Sequence, residues 1–241
     1  MTLSILFVWS LFLLSPSPSA TAADKLPVPL TVVELFTSQG CYSCPPADTY
    51  LGYLSKQENT ITLACHVTYW NYLGWRDTFS RDYCDQRQRR YQALLQGRQG
   101  VYTPQIVVNG RYGVVGSRSA RVDKIIDHAR RRETIAPIDI QPSGDQQIKI
   151  TLPTLSDQEP QQLWLLGTTG EHLLPISRGE NGGKRLRYHD PVEQVIDLGL
   201  WAKDTKEILQ KVGSTKVKKW IVIAQNSPMG AITAAGQYAP P

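Results

Sequence analysis

Two cysteines separated by two residues stand in the stretch GCYSCPPAD, at Cys41 and Cys44. That spacing serves three chemistries: a metal clip, a structural disulfide or a redox centre. A C-x-x-C at the junction of a strand and a helix sets its first sulfur near the helix N-terminus. The unpaired amides and the helix dipole there favour the thiolate, which is the nucleophile of disulfide exchange. Cys44, one turn into the helix, can then attack a mixed disulfide and release the partner. Structural zinc calls for a second C-x-x-C or a Cys/His pair at matching spacing, and the sequence offers neither. The pattern points first to thiol–disulfide exchange on protein thiols or disulfides, with Cys41 and Cys44 catalytic, a separate redox partner and no cofactor. The alternative is a non-enzymatic carrier of copper or another soft metal, using the same sulfurs and His66.

Other residue types in the chain carry weaker signals. Cys65 and Cys84 complete an even count of four cysteines. A bridge between them would close a loop of about 20 residues, worth ~3 kcal/mol in the chain-entropy model; two separate buried thiols are the other reading. His66 is either a satisfied structural histidine or a group near Cys41 that favours its thiolate. Tyr69, Trp70, Tyr72 and Trp75 form an aromatic cluster. It either packs as core or lines a substrate groove, with Trp70 the candidate contact. Gly182-Gly183 mark a turn beside a basic edge of Lys184, Arg185 and Arg187, without a complete phosphate-binding loop. His189 alone is weak evidence for metal, and no residue is assigned to a metal site.

The elements that must position these residues follow from periodicity. Leu30 to Phe36 is a nearly continuous apolar, β-branched run and predicts a buried strand. Cys44 to Lys56 has helical spacing, with Ala47, Leu51 and Leu54 on one face; prolines are tolerated in a first turn because the amides they lack would be unpaired anyway. Ile61 to Val67 predicts a second strand, and Arg81 to Gln96 a polar helix. Ile106 to Val108 and Tyr112 to Val115 predict a hairpin around Asn109-Gly110, the residues a type I′ turn favours. Ser117 to Arg132 carries an apolar helical stripe. Beyond Glu133 the texture changes to alternating apolar and polar runs with turn signals, which predicts antiparallel strands. Asp204 to Val212 predicts a short helix stopped by Gly213.

Hydrophobic content of 41% and charged content of 20% are those of a folded globular chain. Net charge is +5, but the basic residues fall in short clusters and not in a dense stripe, which argues against nucleic acid as a partner. The apolar run from Leu3 to Leu14, followed by Ala20-Thr21-Ala22, reads as a secretory signal peptide over residues 1–22. It is too short for a membrane span, and no other apolar segment reaches spanning length. The expectation is an exported protein, periplasmic or secreted, without a stable membrane span.

The order strand, helix, strand, helix, hairpin, helix, with Thr103-Pro104 opening the third strand, resembles the thioredoxin fold. That resemblance implies a cis peptide at Pro104 facing the C-x-x-C, with Thr103 and Pro104 docking a substrate strand. It also implies that Glu34 matches a buried carboxylate that carries protons to and from Cys44; the other reading of Glu34 is a glutamate at a strand end paired to a nearby base. The stretches VELFTSQGCYSCPPAD, HVTYWNYLGWRD, QRQRRYQ, GVYTPQIVVNGR and SRGENGGKRLRYHDPV resemble successive motifs of a secreted bacterial thioredoxin-like family catalogued as domain of unknown function 1223. Thr68 stands where that family often has an aspartate, and Cys65 and Cys84 are less typical of it. The expected fold class is α/β: a thioredoxin-like domain with a helical insert over residues 28–133, then a β-rich, sandwich-like domain over 134–241.

Overall fold

The computed structural model describes residues 29–95, 100–154, 160–201, 205–226 and 230–240. The expected leader, residues 1–22, lies outside them. Among the described residues the chain is mixed α/β, with three α-helices and several sheets. The first half contributes β1 (Thr31–Thr37), α1 (Pro45–Leu54), β2 (Thr60–His66), α2 (Asp82–Leu94), β3 (Gln105–Val108), β4 (Tyr112–Val115) and α3 (Ser119–Arg132). Its four strands form one sheet in the order β2-β1-β3-β4. β2 runs parallel to β1, while β3 and β4 are antiparallel to their neighbours. The β3–β4 turn is made by Asn109 and Gly110, with φ of 50° and 67°. Both lie in the left-handed region that the Asn-Gly pair tolerates.

β1 is buried along its whole length. The alternation of side chains sends Val33 and Leu35 to one face, against Leu51 of α1 and Val122 and Ile126 of α3. Val32 and Phe36 point to the opposite face, against Cys84 and Tyr91 of α2 and against Trp164, Leu166, Ile221 and Ile223 from the second half. The sheet is thus covered by helices on one side and by α2 and another sheet on the other. That is why its strands read as continuous apolar runs.

The second half consists of β5 (Ala136–Pro137), β6 (Asp139–Pro142), β7 (Gln147–Thr151), β8 (Gln161–Thr168), β9 (Glu171–Pro175), β10 (Arg185–His189), β11 (Val192–Trp201), β12 (Glu207–Lys211), β13 (Lys219–Asn226) and β14 (Ile232–Tyr238). A five-stranded sheet, β11-β8-β13-β14-β5, faces a three-stranded one, β12-β7-β6. Ile140, Ile148 and Ile150 pack there against Leu163, Leu165 and Val222. One stretch departs from expectation. Glu207–Lys211, within the segment read as a helix from Asp204 to Val212, is a strand paired antiparallel to β7; residue 204 lies outside the described residues. Its exposure alternates along the strand, with Ile208 and Gln210 the less exposed positions. A segment this short gains little from helix formation alone, whereas the β7 edge supplies a complete ladder of partners.

Two junctions fix the β9–β10 ribbon beside α1. A side chain on Gly52 of α1 would fall 2.2 Å from His189 Nε2, so only glycine permits this approach. At the end of the ribbon, the Ala64 amide of β2 donates to the Asp190 carbonyl at 2.9 Å. The Asp190 carboxylate accepts from Thr62 and from Lys219 Nζ at 2.5 and 2.8 Å.

Cys65 and Cys84 are bridged, tying β2 to α2 across a sequence separation of 19. Replacing both with alanine is expected to lower the unfolding free energy by about 3 kcal/mol in equilibrium urea titration, whereas a loss below about 1 kcal/mol would mean the tether does little to restrict the unfolded chain.

Candidate functional site around Cys41 and Cys44

Cys41 and Cys44 form a disulfide with a Cα–Cα distance of 5.4 Å. β1 ends at Thr37, and the loop that follows delivers Cys41 to the start of α1. Cys44 is the N-cap of that helix and not one turn into it. Pro45 and Pro46 have no N–H to bond backwards, so the first helical bonds are those from Ala47 and Asp48 to the Cys44 carbonyl, at 2.8 and 3.1 Å. The sulfurs therefore sit at the positive end of the helix dipole.

The loop is held from several sides. The Thr103 hydroxyl donates to Cys41 Sγ at 3.2 Å and accepts from Trp70 Nε1 at 2.8 Å. The Thr103-Pro104 peptide is cis. Ser43 Oγ lies 3.5 Å from Cys41 Sγ. Asp77 accepts from the Gln39 amide at 2.7 Å, and Gln39 Oε1 accepts from Trp75 Nε1 at 2.9 Å. From the second half, Asn181 Nδ2 donates to the carbonyls of Gln39 and Cys41 at 3.0 and 2.9 Å. Glu180 Oε2 accepts from the Tyr42 amide at 2.9 Å. Lys184 Nζ donates to Asn181 Oδ1 at 2.8 Å and stands 4.6 Å from the centre of the Tyr42 ring. Both cysteines are 0% exposed, while Tyr42 between them is 67% exposed.

A buried polar cluster adjoins this loop. Asp48, one turn along α1 from Cys44, accepts from the Thr37 hydroxyl at 2.8 Å. Thr37 pairs in register with His66, and His66 Nδ1 lies 2.7 Å from Asp77 Oδ2. The imidazole is enclosed by the rings of Phe79 and Tyr188, at centroid distances of 5.2 and 5.3 Å. Asp48 Oδ2, His66 Nε2 and the Tyr188 hydroxyl are buried without a hydrogen-bond partner among the described residues. Burial pushes the Asp48 carboxyl up to about 7, outweighing the pull of His66 and of the Thr37 hydrogen bond, with Asp77 adding to the rise. For His66, burial opposes protonation, but Asp77 and Asp48 outweigh it and hold the imidazole above its ordinary value, against a smaller opposing effect of Arg81. Burial likewise works against the Asp77 carboxylate, yet His66 and the amides of Gln39 and Phe79 keep it below the usual carboxylate range.

Glu34 is equally buried but lies elsewhere. It points to the α2 side of the sheet, where Arg87 Nε and Nη2 donate to its two oxygens at 2.5 and 3.0 Å. The Tyr91 hydroxyl adds a bond of 2.5 Å, and Gln225 Nε2 donates to that hydroxyl at 2.9 Å. Of the aromatic cluster, Trp70 and Trp75 brace the loop, Tyr69 donates to Gln88 at 3.1 Å and Tyr72 is 79% exposed. Thr68 is paired with Asp85, which accepts from its amide at 2.8 Å and from its hydroxyl at 2.5 Å. Among the described residues no group of three or more His, Cys, Asp and Glu side chains is arranged to hold a metal ion.

Sequence reasoning named Cys41, Cys44, Thr103, Pro104 and Trp70, and the structure brings them together. It missed Asp48, whose signal was a lone acid on the apolar stripe of α1. Asp77, Glu180 and Asn181 carried no local signal, since each meets the loop only through the tertiary fold.

The profile of a family described as "Protein of unknown function (DUF1223)" matches residues 32–226, and the chain belongs to that family. A crystal structure of protein AGR_C_4864 from Agrobacterium tumefaciens is similar at 31% identity and a TM-score of 0.73, covering 87% of this chain and 93% of that one. HBP35 of Porphyromonas gingivalis is similar at 15% identity and a TM-score of 0.58, covering 88% of this chain and 76% of that one; at that identity the likeness is one of fold alone. No curated protein matches the chain.

The buried cluster has a consequence for stability. An unfolded Asp48 ionises near 4, whereas the folded one holds its proton to about 7. Between those values the folded state binds more protons, so stability falls as pH rises. His66, raised in the folded state, contributes in the same direction as pH climbs from its ordinary value through its folded one; Asp77, held low, costs stability only in acid. Asp48→Asn, which keeps an oxygen for Thr37, is expected to exceed the wild type in stability by on the order of 2 kcal/mol at pH 8 and to lose the advantage near pH 4. Chemical denaturation across that range checks this; a difference independent of pH would refute it.

Proposed function

We propose that the protein is an exported thioredoxin-like thiol–disulfide oxidoreductase. The observation that carries this reading is the Cys41–Cys44 disulfide at the N-terminus of α1, with the Thr103 hydroxyl 3.2 Å from Cys41 Sγ. In the reduced protein the Cys41 thiolate attacks a partner disulfide. One partner sulfur leaves as a thiolate and Cys41 becomes a mixed disulfide. The Cys44 thiolate then attacks Cys41 Sγ and expels the second partner sulfur, so two electrons pass from this protein to its partner. The opposite direction runs through the same steps. Both electrons reside in the sulfurs, so no cofactor is required. The helix dipole and the Thr103 hydroxyl stabilise the Cys41 thiolate.

Proton exchange at Cys44 needs a group that changes protonation near neutral pH. Asp48 is one helical turn away, is pushed up to about 7 and has one oxygen unpartnered. Glu34, the acid expected in this role, has both oxygens committed to Arg87 and Tyr91, so Asp48 fits the task better. Export to the periplasm or medium is part of the same reading. It is supported by the leader-like N-terminus and by two formed disulfides, bonds that persist in oxidising compartments.

Cys44→Ala removes the resolving sulfur and leaves Cys41 free. Cells producing this variant are expected to accumulate covalent adducts through Cys41 that disappear on reduction and are absent when Cys41 is also replaced. Non-reducing electrophoresis followed by mass spectrometry reads the result, and an absence of such adducts would sink the exchange reading.

A further inference from the structure

We propose that the segment Arg178–Lys184 is a gate on the disulfide and that Asn181 and Glu180 determine which thiols reach it. The proposal rests on the exchange reading for its biological meaning. Its structural basis is separate. Cys41 and Cys44 are fully buried, so in this arrangement no thiolate can approach Cys41 Sγ along the line of the S–S bond, as exchange demands.

The cover is built and not incidental. Asn181 is 0% exposed, and its amide spans the carbonyls of Gln39 and Cys41. Its own oxygen is held by Lys184. Glu180 takes the Tyr42 amide. Gly179, with φ of 75°, lies against Trp75, where an added side chain would stand 3.3 Å from Trp75 Cβ. Gly182 and Gly183 follow; Gly183 has φ of 84° and open space around it. The side chains of this segment thus occupy the donor and acceptor flanking Cys41 that an extended polypeptide would use. Lifting the segment frees the Tyr42 N–H and one lone pair of the Cys41 carbonyl, whose other bond is from the Cys44 amide at 3.2 Å, and releases the loop that carries the buried sulfur. A polypeptide can replace both bonds as it docks, whereas a small thiol replaces neither. The gate therefore selects peptide-borne thiols and disulfides over small ones. In the step it controls, an incoming thiolate bonds to Cys41 Sγ, the S–S bond breaks and its electron pair leaves on Cys44 Sγ, which takes up a proton.

The test measures how fast dithiothreitol reduces Cys41–Cys44 in the oxidised full-length chain, followed by acid quench, alkylation and mass spectrometry. Asn181→Asp keeps the size of the side chain but turns a carboxylate toward two carbonyls. It is expected to accelerate reduction about tenfold or more, while Glu180→Gln, at an exposed position with one weakened bond, accelerates it roughly two- to fivefold. Opening of Cys65–Cys84 keeps its wild-type rate in both. Unchanged Cys41–Cys44 rates in Glu180→Gln and in folded Asn181→Asp would overturn the gate. So would equal acceleration of both disulfides, which reports general loosening. Dithiothreitol brings its own thiols, so these rates decide the gate whether or not Cys44→Ala traps a partner.

Discussion

Burial of β1 on both faces is the constraint on which the rest of the structure depends. A strand with no wet side must satisfy every polar group it carries from within the protein, because an unpaired charge or amide there costs several kcal/mol. Glu34 is the severest case. Its carboxylate is matched by the fork of Arg87 and by the Tyr91 hydroxyl, and both partners stand on α2, one turn apart. The ion pair thereby fixes the position of α2 along the sheet, and the Cys65–Cys84 bridge repeats that attachment covalently. Gln225, from the five-stranded sheet, completes the network through Tyr91. Three elements distant in sequence are brought into register by one buried charge.

The same constraint shapes the end of the strand, where the reactive loop begins. Thr37 is still inside, and its hydroxyl is taken by Asp48. His66, the register partner of Thr37, bonds Asp77, and Asp77 in turn accepts from the amide of Gln39. The loop then emerges between Thr103 and Trp70 on one side and Asn181 on the other. Several of its backbone groups are already bonded, so the loop is ordered by the fold itself. The cost is access: the contacts that order the loop also bury the sulfurs.

Features governed by neighbours in sequence were legible before the structure. The apolar run of β1, the stripe of α3 and the Asn109-Gly110 turn each obey a local period or a local backbone preference. The C-x-x-C stood out because its chemistry depends on spacing alone. Glu207–Lys211 has too few residues and too weak a period to separate helix from strand locally, and the edge of β7 decides for the strand. Asn181 was invisible for a different reason. Its motif reads as a turn with a basic edge, but the groups it binds lie some 140 residues earlier, and no period links them. Asp48 lay between these cases. An acid among Ala47, Leu51 and Leu54 breaks the apolar face of its helix, and a buried acid without a base on its own helix must find its partner across the sheet.

The two buried carboxylates show how one fold assigns different duties to the same functional group. Glu34 is saturated by a guanidinium fork and a phenol, so it is a structural anion that holds α2. Asp48 has one neutral hydroxyl donor, a histidine nearby and one oxygen without a partner. Its ionised form is poorly solvated by the protein, which is why burial prevails over the attraction of His66. The difference lies in what the opposite element could offer. α2 lies across the sheet from Glu34 and presents an arginine. Across from α1 the parallel strand β2 presents only His66, already committed to Asp77. Asp48, with one oxygen unpartnered, is thus pushed by burial up to about 7, whereas Glu34 has both oxygens bonded. Asp48 stands one helical turn from Cys44, next to a loop that Asn181 holds from the second half of the chain. In the exchange proposed above, the proton-accepting side and the partner-accepting side of the disulfide would thus be set by different halves of the chain.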